Sequence, residues 1–114
     1  MFIDHEAVPP LEFDGLRIAD YTAGRDTSSS FAEITLPPGV RHKVSWSRRS
    51  DKFYYVVSGA IEFVLDEQTR RMSAGDVCVV PQGVRFSYSN ASLTEAKLIL
   101  VHTPHFKLEC EVFE

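Results

Sequence analysis

Residues 39–59 read GVRHKVSWSRRSDKFYYVVSG and residues 75–90 read GDVCVVPQGVRFSYSN. Both stretches open on a glycine and run through short apolar or β-branched segments to a turn residue. Runs of this length, bounded by Gly, Pro, Asn, Asp and Ser and lacking a helical period, predict antiparallel β-strands. Outward from these two stretches the same pattern predicts strands near 16–22, 31–36, 41–47, 52–58, 60–66, 69–72, 77–80, 85–89 and 96–102. The breaks between them have specific chemistry. Pro37-Pro38-Gly39 fixes φ and then frees it, and Ser58-Gly59, Asp66-Glu67-Gln68, Ala74-Gly75-Asp76 and Pro81-Gln82-Gly83 are turn signals. So many short strands joined by short loops protect their edges best in a double-sheet or closed barrel. The expected architecture is an all-β jelly-roll β-barrel spanning residues 1–114 as a single domain, with an N-terminal arm over 1–14 and an acidic tail over 104–114.

Composition narrows the function classes. The chain has 114 residues, 44% apolar and 25% charged, with a net charge of −4. An acidic total argues against nucleic acid as a partner. No apolar run reaches the length of a membrane span, and the first residues lack the basic start and apolar stretch of a signal peptide, so a cytoplasmic protein is expected. Two cysteines, Cys78 and Cys110, are too few for a disulfide framework and are read as reduced thiols. Charge is uneven: residues 41–52 hold Arg41, Lys43, Arg48, Arg49 and Lys52 against Asp51 alone, a local +4 that leaves −8 for the rest. This is either a solvated basic loop or, if it borders a pocket, an attraction for an anionic small molecule.

The spacing of the two stretches then names a family. Gly39 is followed by five residues, Ser45-Trp46-Ser47, four residues, Lys52, six residues and Gly59. Gly75 is followed by five residues, Pro81-Gln82-Gly83, two residues, Phe86, three residues and Asn90. This resembles the paired cupin motifs, G-x5-H-x-H-x4-E-x6-G (motif 1, residues 39–59) and G-x5-P-x-G-x2-H-x3-N (motif 2, residues 75–90). The ending His102-Thr103-Pro104 after an apolar strand is also similar to small cupins. The resemblance implies the jelly-roll barrel, also called a double-stranded β-helix. Its glycine, proline and asparagine frame is intact, but the four positions that ligate a metal in typical cupins hold Ser45, Ser47, Lys52 and Phe86. Serine is a poor ligand for such ions, an ammonium repels a cation, and a phenyl ring has no donor atom. Even if a bulge turned Asp51 inward, one carboxylate would not hold an ion. The expectation is no metal and no cofactor.

Strand alternation assigns the pocket. Counting from Ser45 and Ser47 turns Arg41 and Lys43 inward and His42, Val44 and Trp46 outward. Lys52 brings Tyr54 with it, Phe86 brings Tyr88, and His102 lies inside or at the rim. The expected small-molecule site is Arg41, Lys43, Ser45, Ser47, Lys52, Tyr54, Phe86, Tyr88 and His102, with His102, Tyr54 and Tyr88 as candidate proton-transfer groups. Each has a plainer role: core aromatics with a satisfied hydroxyl, and a hydrogen-bonded rim histidine. Lys52 is expected either to pair with an acid such as Glu33 or Glu62 or to bind a carboxylate or phosphate. His105 is expected on the surface, and His5 and His42 have no identifiable partner.

Three functions compete. One is a metal-independent enzyme of isomerase or epimerase type acting on an anionic or sugar-like molecule, since some cupin sugar epimerases and ketoisomerases work through His, Tyr and basic side chains. The second is a non-catalytic binding or sensing barrel. The third is a structural protein whose interior Phe86 and its neighbours fill. Outward Phe53, Tyr55, Val57 and Trp46 would form a large apolar patch and predict a homodimer, unless the arm 1–14 covers them.

Overall fold

A computed structural model describes all residues 1–114. Eleven strands form: β1 Leu11–Phe13, β2 Leu16–Asp20, β3 Ser30–Leu36, β4 Arg41–Ser47, β5 Asp51–Ser58, β6 Ala60–Leu65, β7 Gln68–Ser73, β8 Val77–Val80, β9 Phe86–Ser89, β10 Ala96–Thr103 and β11 Glu111–Phe113. The only helical segments are 3-10 turns at His5–Ala7 and Leu108–Cys110, and no helix is long and apolar enough to cross a membrane. One sheet has the order β1-β2-β3-β10-β5-β8 and the other β11-β4-β9-β6-β7, all pairs antiparallel. The two face each other as a jelly roll. The nine expected strands are present to within two residues at each end. The arm and the tail each contribute one short additional strand, β1 and β11, because their backbone groups pair with the exposed edges of β2 and β4.

Period-two alternation places the core. In β5, Lys52, Tyr54 and Val56 point between the sheets while Phe53, Tyr55 and Val57 face out; in β10, Ala96, Leu98, Leu100 and His102 point in. The core is therefore layered. One end is aliphatic, with Leu36, Val56, Ile61, Ala96 and Leu98 almost fully buried. The middle is aromatic, with Tyr54, Phe63, Phe86 and Tyr88. The other end is polar, with Ser30, Ser45, Ser47, Lys52 and His102.

The turn frame has a steric basis. Gly59 has φ +77°, and a Cβ there would lie 2.8 Å from the Glu95 carbonyl oxygen and 2.9 Å from Ala96 Cα, so only glycine lets β10 pass this close to the β5–β6 turn. Asn90, fully buried, does more than close a local turn. Its Nδ2 donates to the Leu36 and Thr94 carbonyls and its Oδ1 accepts from the Ser92 amide, tying β3, β9 and the following loop together.

Candidate functional site

The polar end of the interior is built by two rows. Across one sheet, Ser30, His102 and Lys52 are register partners on β3, β10 and β5. Opposite them, Ser47 on β4 is the register partner of Glu111 on β11. The two rows meet in an ion pair between Lys52 Nζ and Glu111 Oε1, with both side chains about 95% or more buried. Lys52 Nζ also lies over the Phe86 ring, 4.8 Å from its centroid. Burial pulls the Lys52 ammonium below its ordinary range, and the Glu111 carboxylate opposes that pull. The acid that meets Lys52 is therefore neither Glu33 nor Glu62. Glu33 lies on the outer face beside Lys97, and Glu62 is exposed.

Above this pair sits an aromatic stack. The His42 ring stacks on Tyr88 at 4.8 Å and on Phe86 at 5.3 Å, with interplanar angles of 27° and 29°. Tyr54 packs edge-on against Tyr88 at 5.2 Å, and Phe63 stacks on Tyr88 at 5.5 Å. Phe13 of β1 and Phe113 of β11 close over His42 at 6.0 and 6.3 Å.

His42 therefore points inward, contrary to the expected alternation, and Arg41 and Lys43 point out and are exposed. The cause is an irregularity in the β4–β9 pairing between His42 and Ser45. A bulge inserts one residue and reverses which side chains face in. Lys43 reaches Asp14 at 3.2 Å on the surface instead of entering the pocket. Trp46 is half-buried under the Arg48 guanidinium on the five-stranded sheet, away from Phe53, Tyr55 and Val57. Asp51 stays outside and accepts the Gln82 amide. The remaining expected residues, Ser45, Ser47, Lys52, Tyr54, Phe86, Tyr88 and His102, all lie between the sheets. His105, expected at the surface, is partly buried and bonded to Thr27, while His5 bonds the Tyr21 hydroxyl at 2.7 Å.

The two histidines between the sheets, His42 and His102, are neutral. The His42 Nδ1–H donates to the Lys43 carbonyl at 2.7 Å, which leaves Nε2 as the acceptor of a neutral ring. Burial holds His42 down to about 4 and His102 down to about 3. Burial pushes both Tyr54 and Tyr88 up, so both phenols stay protonated. Two buried polar atoms, His102 Nε2 and Glu111 Oε2, have no hydrogen-bond partner, and the Tyr88 hydroxyl has none but a long contact with the Tyr54 hydroxyl. Orphaned groups of this kind are rare inside proteins and cluster where water or a ligand binds.

A metal does not fit this donor set. The Ser45 hydroxyl donates to the Lys43 carbonyl, and the Ser47 hydroxyl accepts from the Arg49 and Ser50 amides. The other two positions hold an ammonium and a phenyl ring, and no three His, Cys, Asp or Glu side chains are grouped to hold an ion.

Sequence reasoning missed His42 and Glu111. His42 carried one usable signal. Turning Arg41 and Lys43 outward and His42 inward avoids burying two cations without an acid, which is far costlier than a bulge. Glu111 carried none, because its place depends on a register with Ser47 across sixty-odd residues of chain.

A family model for the cupin domain matches residues 32–102. The chain belongs to the cupin family. Over 104 aligned residues this cupin is 31% identical to a Myxococcus xanthus protein named endoribonuclease YbeY; the match covers 84% of this chain and 33% of that protein, so the chain spans about a third of that relative's length. Among solved structures it is similar to Streptomyces Pac13, a nucleoside dehydratase, at TM-score 0.86 and 23% identity, covering all of this chain and 90% of that one. The same enzyme appears with uridine as one His→Gln and two Tyr→Phe variants. A predicted oxalate decarboxylase from Thermotoga maritima matches at TM-score 0.82 and 20% identity over 91% of this chain and 99% of that one. At these identities the structures establish a shared fold.

Proposed function

We propose that this cupin works without a metal, binds a small sugar-like molecule of the nucleoside class between its sheets, and transfers a proton there as an enzyme of isomerase, epimerase or dehydratase type. The observation that carries this reading is the His42–Tyr88 stack. It pairs a neutral imidazole whose free nitrogen is Nε2 with a protonated phenol whose hydroxyl meets only the Tyr54 hydroxyl. Burial keeps the ring neutral and the phenol protonated at neutral pH, the resting forms of a base and an acid, and a bound ligand that hydrogen-bonds both would bring them back toward the range where proton transfer is efficient. Tyr54 lies against the same ring, and the variants of Pac13 studied with uridine change one histidine and two tyrosines, which supports a nucleoside as the first ligand to try. Two unpaired cysteines fit a cytoplasmic location.

A second reading has its own support. None of the five principal clefts is lined by His42, Lys52, Tyr54, Tyr88 or His102; a cleft of about 360 Å³ lies instead at the seam between β7 and β8. This favours a non-catalytic barrel whose aromatics fill the interior. Uridine titrated into the wild-type chain and into His42→Gln and Tyr88→Phe, followed by amide chemical shifts, separates the two. Saturable shifts at residues of β4, β5 and β9, weakened about tenfold or more by either substitution, are expected. No shift with uridine or with a panel of sugar phosphates and uronates would leave the filled barrel as the better account.

A further inference from the structure

The segment 104–114 does more than end the barrel. It crosses the polar end of the interior, held by the Ser50 hydroxyl on the Pro104 carbonyl at 2.8 Å and by the Phe106 amide on the Ser30 hydroxyl at 3.1 Å. It then lies along β4 as β11, three residues on a sheet edge, with backbone bonds from the Arg48 amide to the Cys110 carbonyl and from the Glu114 amide to the Val44 carbonyl, both 2.8 Å. Val112 and Phe113 remain partly exposed. Glu111 is the one side chain of β11 driven fully inside, and it is the sole acid paired with Lys52.

That carboxylate sits in a place built for one but does not complete it. Oε1 takes the Lys52 ammonium, while Oε2 has no partner, and His102 Nε2 beside Lys52 on the neighbouring strand has none either. A buried carboxylate with half its lone pairs unmet is one that a better-fitting acceptor can replace. A short edge strand opens more readily than a central one, since few bonds hold it. Its release would also lift Phe113 off His42 and open the aromatic stack to the outside.

We propose that Lys52 forms a carboxylate-binding subsite, that Glu111 occupies it as an internal stand-in, and that β11 is a strap which swings out when a ligand carboxylate takes the place of Glu111. The inference deepens the proposed function, because it rests on the interior being a ligand site and adds an acidic group to the ligand. No bond to carbon is made or broken; one carboxylate is exchanged for another on the same ammonium, so the charge within the barrel is unchanged.

The test uses acetate as the probe, at constant ionic strength with chloride as the control, so that it needs neither nucleoside nor turnover. In the wild-type chain, amide hydrogen exchange at Arg48 and Glu114 reports the strap, and exchange at Val56, whose amide donates to the Asp76 carbonyl, reports the barrel. Acetate is expected to speed the first two about threefold or more by mass action while leaving Val56 unchanged. Equal rates with acetate and with chloride would overturn the proposal. In Glu111→Ala the subsite is vacated, and acetate should raise the melting temperature by several degrees in a saturable way that Lys52→Met, added to it, abolishes. A folded Glu111→Ala without that acetate effect would equally overturn it, and if this variant does not fold, the wild-type exchange decides. Inorganic phosphate acting as well as acetate would refute a carboxylate subsite. Acetate exchange without uridine binding would sink the nucleoside reading alone, and uridine binding without acetate exchange would sink the strap alone.

Discussion

His42 and His102 are the residues in which burial and chemistry meet most directly. Both rings are neutral inside the barrel, held down to about 4 and about 3 by loss of water, against an ordinary value near 6.5. Their contribution to stability has a definite sign. As the pH falls below 6.5 the unfolded chain takes up two protons that the folded chain refuses, so stability is full above 6.5 and is lost on the way down toward 4 and 3. Each ring contributes up to about 1.4 kcal/mol per pH unit in that window. Urea midpoints should therefore fall steeply between about pH 7 and pH 5, and His42→Gln or His102→Gln should each flatten the slope by up to half. A flat wild-type profile would contradict the burial of both rings. Lys52 shows the limit of reading residues singly. Its position in the motif frame shows that it faces inward, and physics requires an acid beside it, but which acid was not legible. The candidates Glu33 and Glu62 lie on outward positions of β3 and β6, and the partner came from the acidic tail.

At the scale of the element, the turns were legible and one strand phase was not. Glycine and proline act through their own backbones, so Gly39, Gly59, Gly75 and Gly83 marked their turns in the sequence, and all four have φ between +77° and +95°. Strand faces depend on counting by two, and a bulge breaks the count. In β4 the residues after the irregularity, Ser45 and Ser47, face as expected, while Arg41, His42 and Lys43 before it are reversed. The short strands β1 and β11 were illegible for another reason: three residues carry too little alternation to register as a pattern, and only the edge they pair with makes them strands. The glycines also differ in a measurable way. Gly39 has φ +78° and open space where a Cβ would stand, with nothing within 4 Å, whereas Gly59 at φ +77° would push its Cβ into β10. Gly39→Ala should cost the conformational penalty alone, about 1–2 kcal/mol, and Gly59→Ala at least about 2 kcal/mol more. Equal losses in urea unfolding would mean that the close approach of β10 carries no weight.

At the scale of the whole molecule, the outer face of the six-stranded sheet is apolar where a solvated face would be mixed. Val79, Phe53, Val101 and Phe31 are register partners in a row across β8, β5, β10 and β3, and Val77, Tyr55 and Ile99 form the next row. Phe31, Phe53, Tyr55, Val57, Val77 and Val79 are each 38–56% exposed. The arm 1–14 does not cover them; its strand lies at the opposite edge of the sheet, beside β2. One apolar row over four strands and a second over three, ending at Glu33, exceed the scattered exposure of a monomer, and a flat sheet face suits an isologous contact in which the same rows meet across a two-fold axis. A stable pair needs about 800 Å² from each partner, so the contact would take in most of this face. The chain should therefore sediment as a homodimer at micromolar concentration. Tyr55→Lys combined with Val77→Lys, both on the outer face and clear of the interior, should give a monomer with an unchanged far-ultraviolet dichroism spectrum and unchanged acetate response. A wild-type monomer at high micromolar concentration would show that these rows serve another purpose. A lysine variant that stays dimeric would move the contact to a different face, and the half-buried Trp46 of the five-stranded sheet would then be the next residue to change.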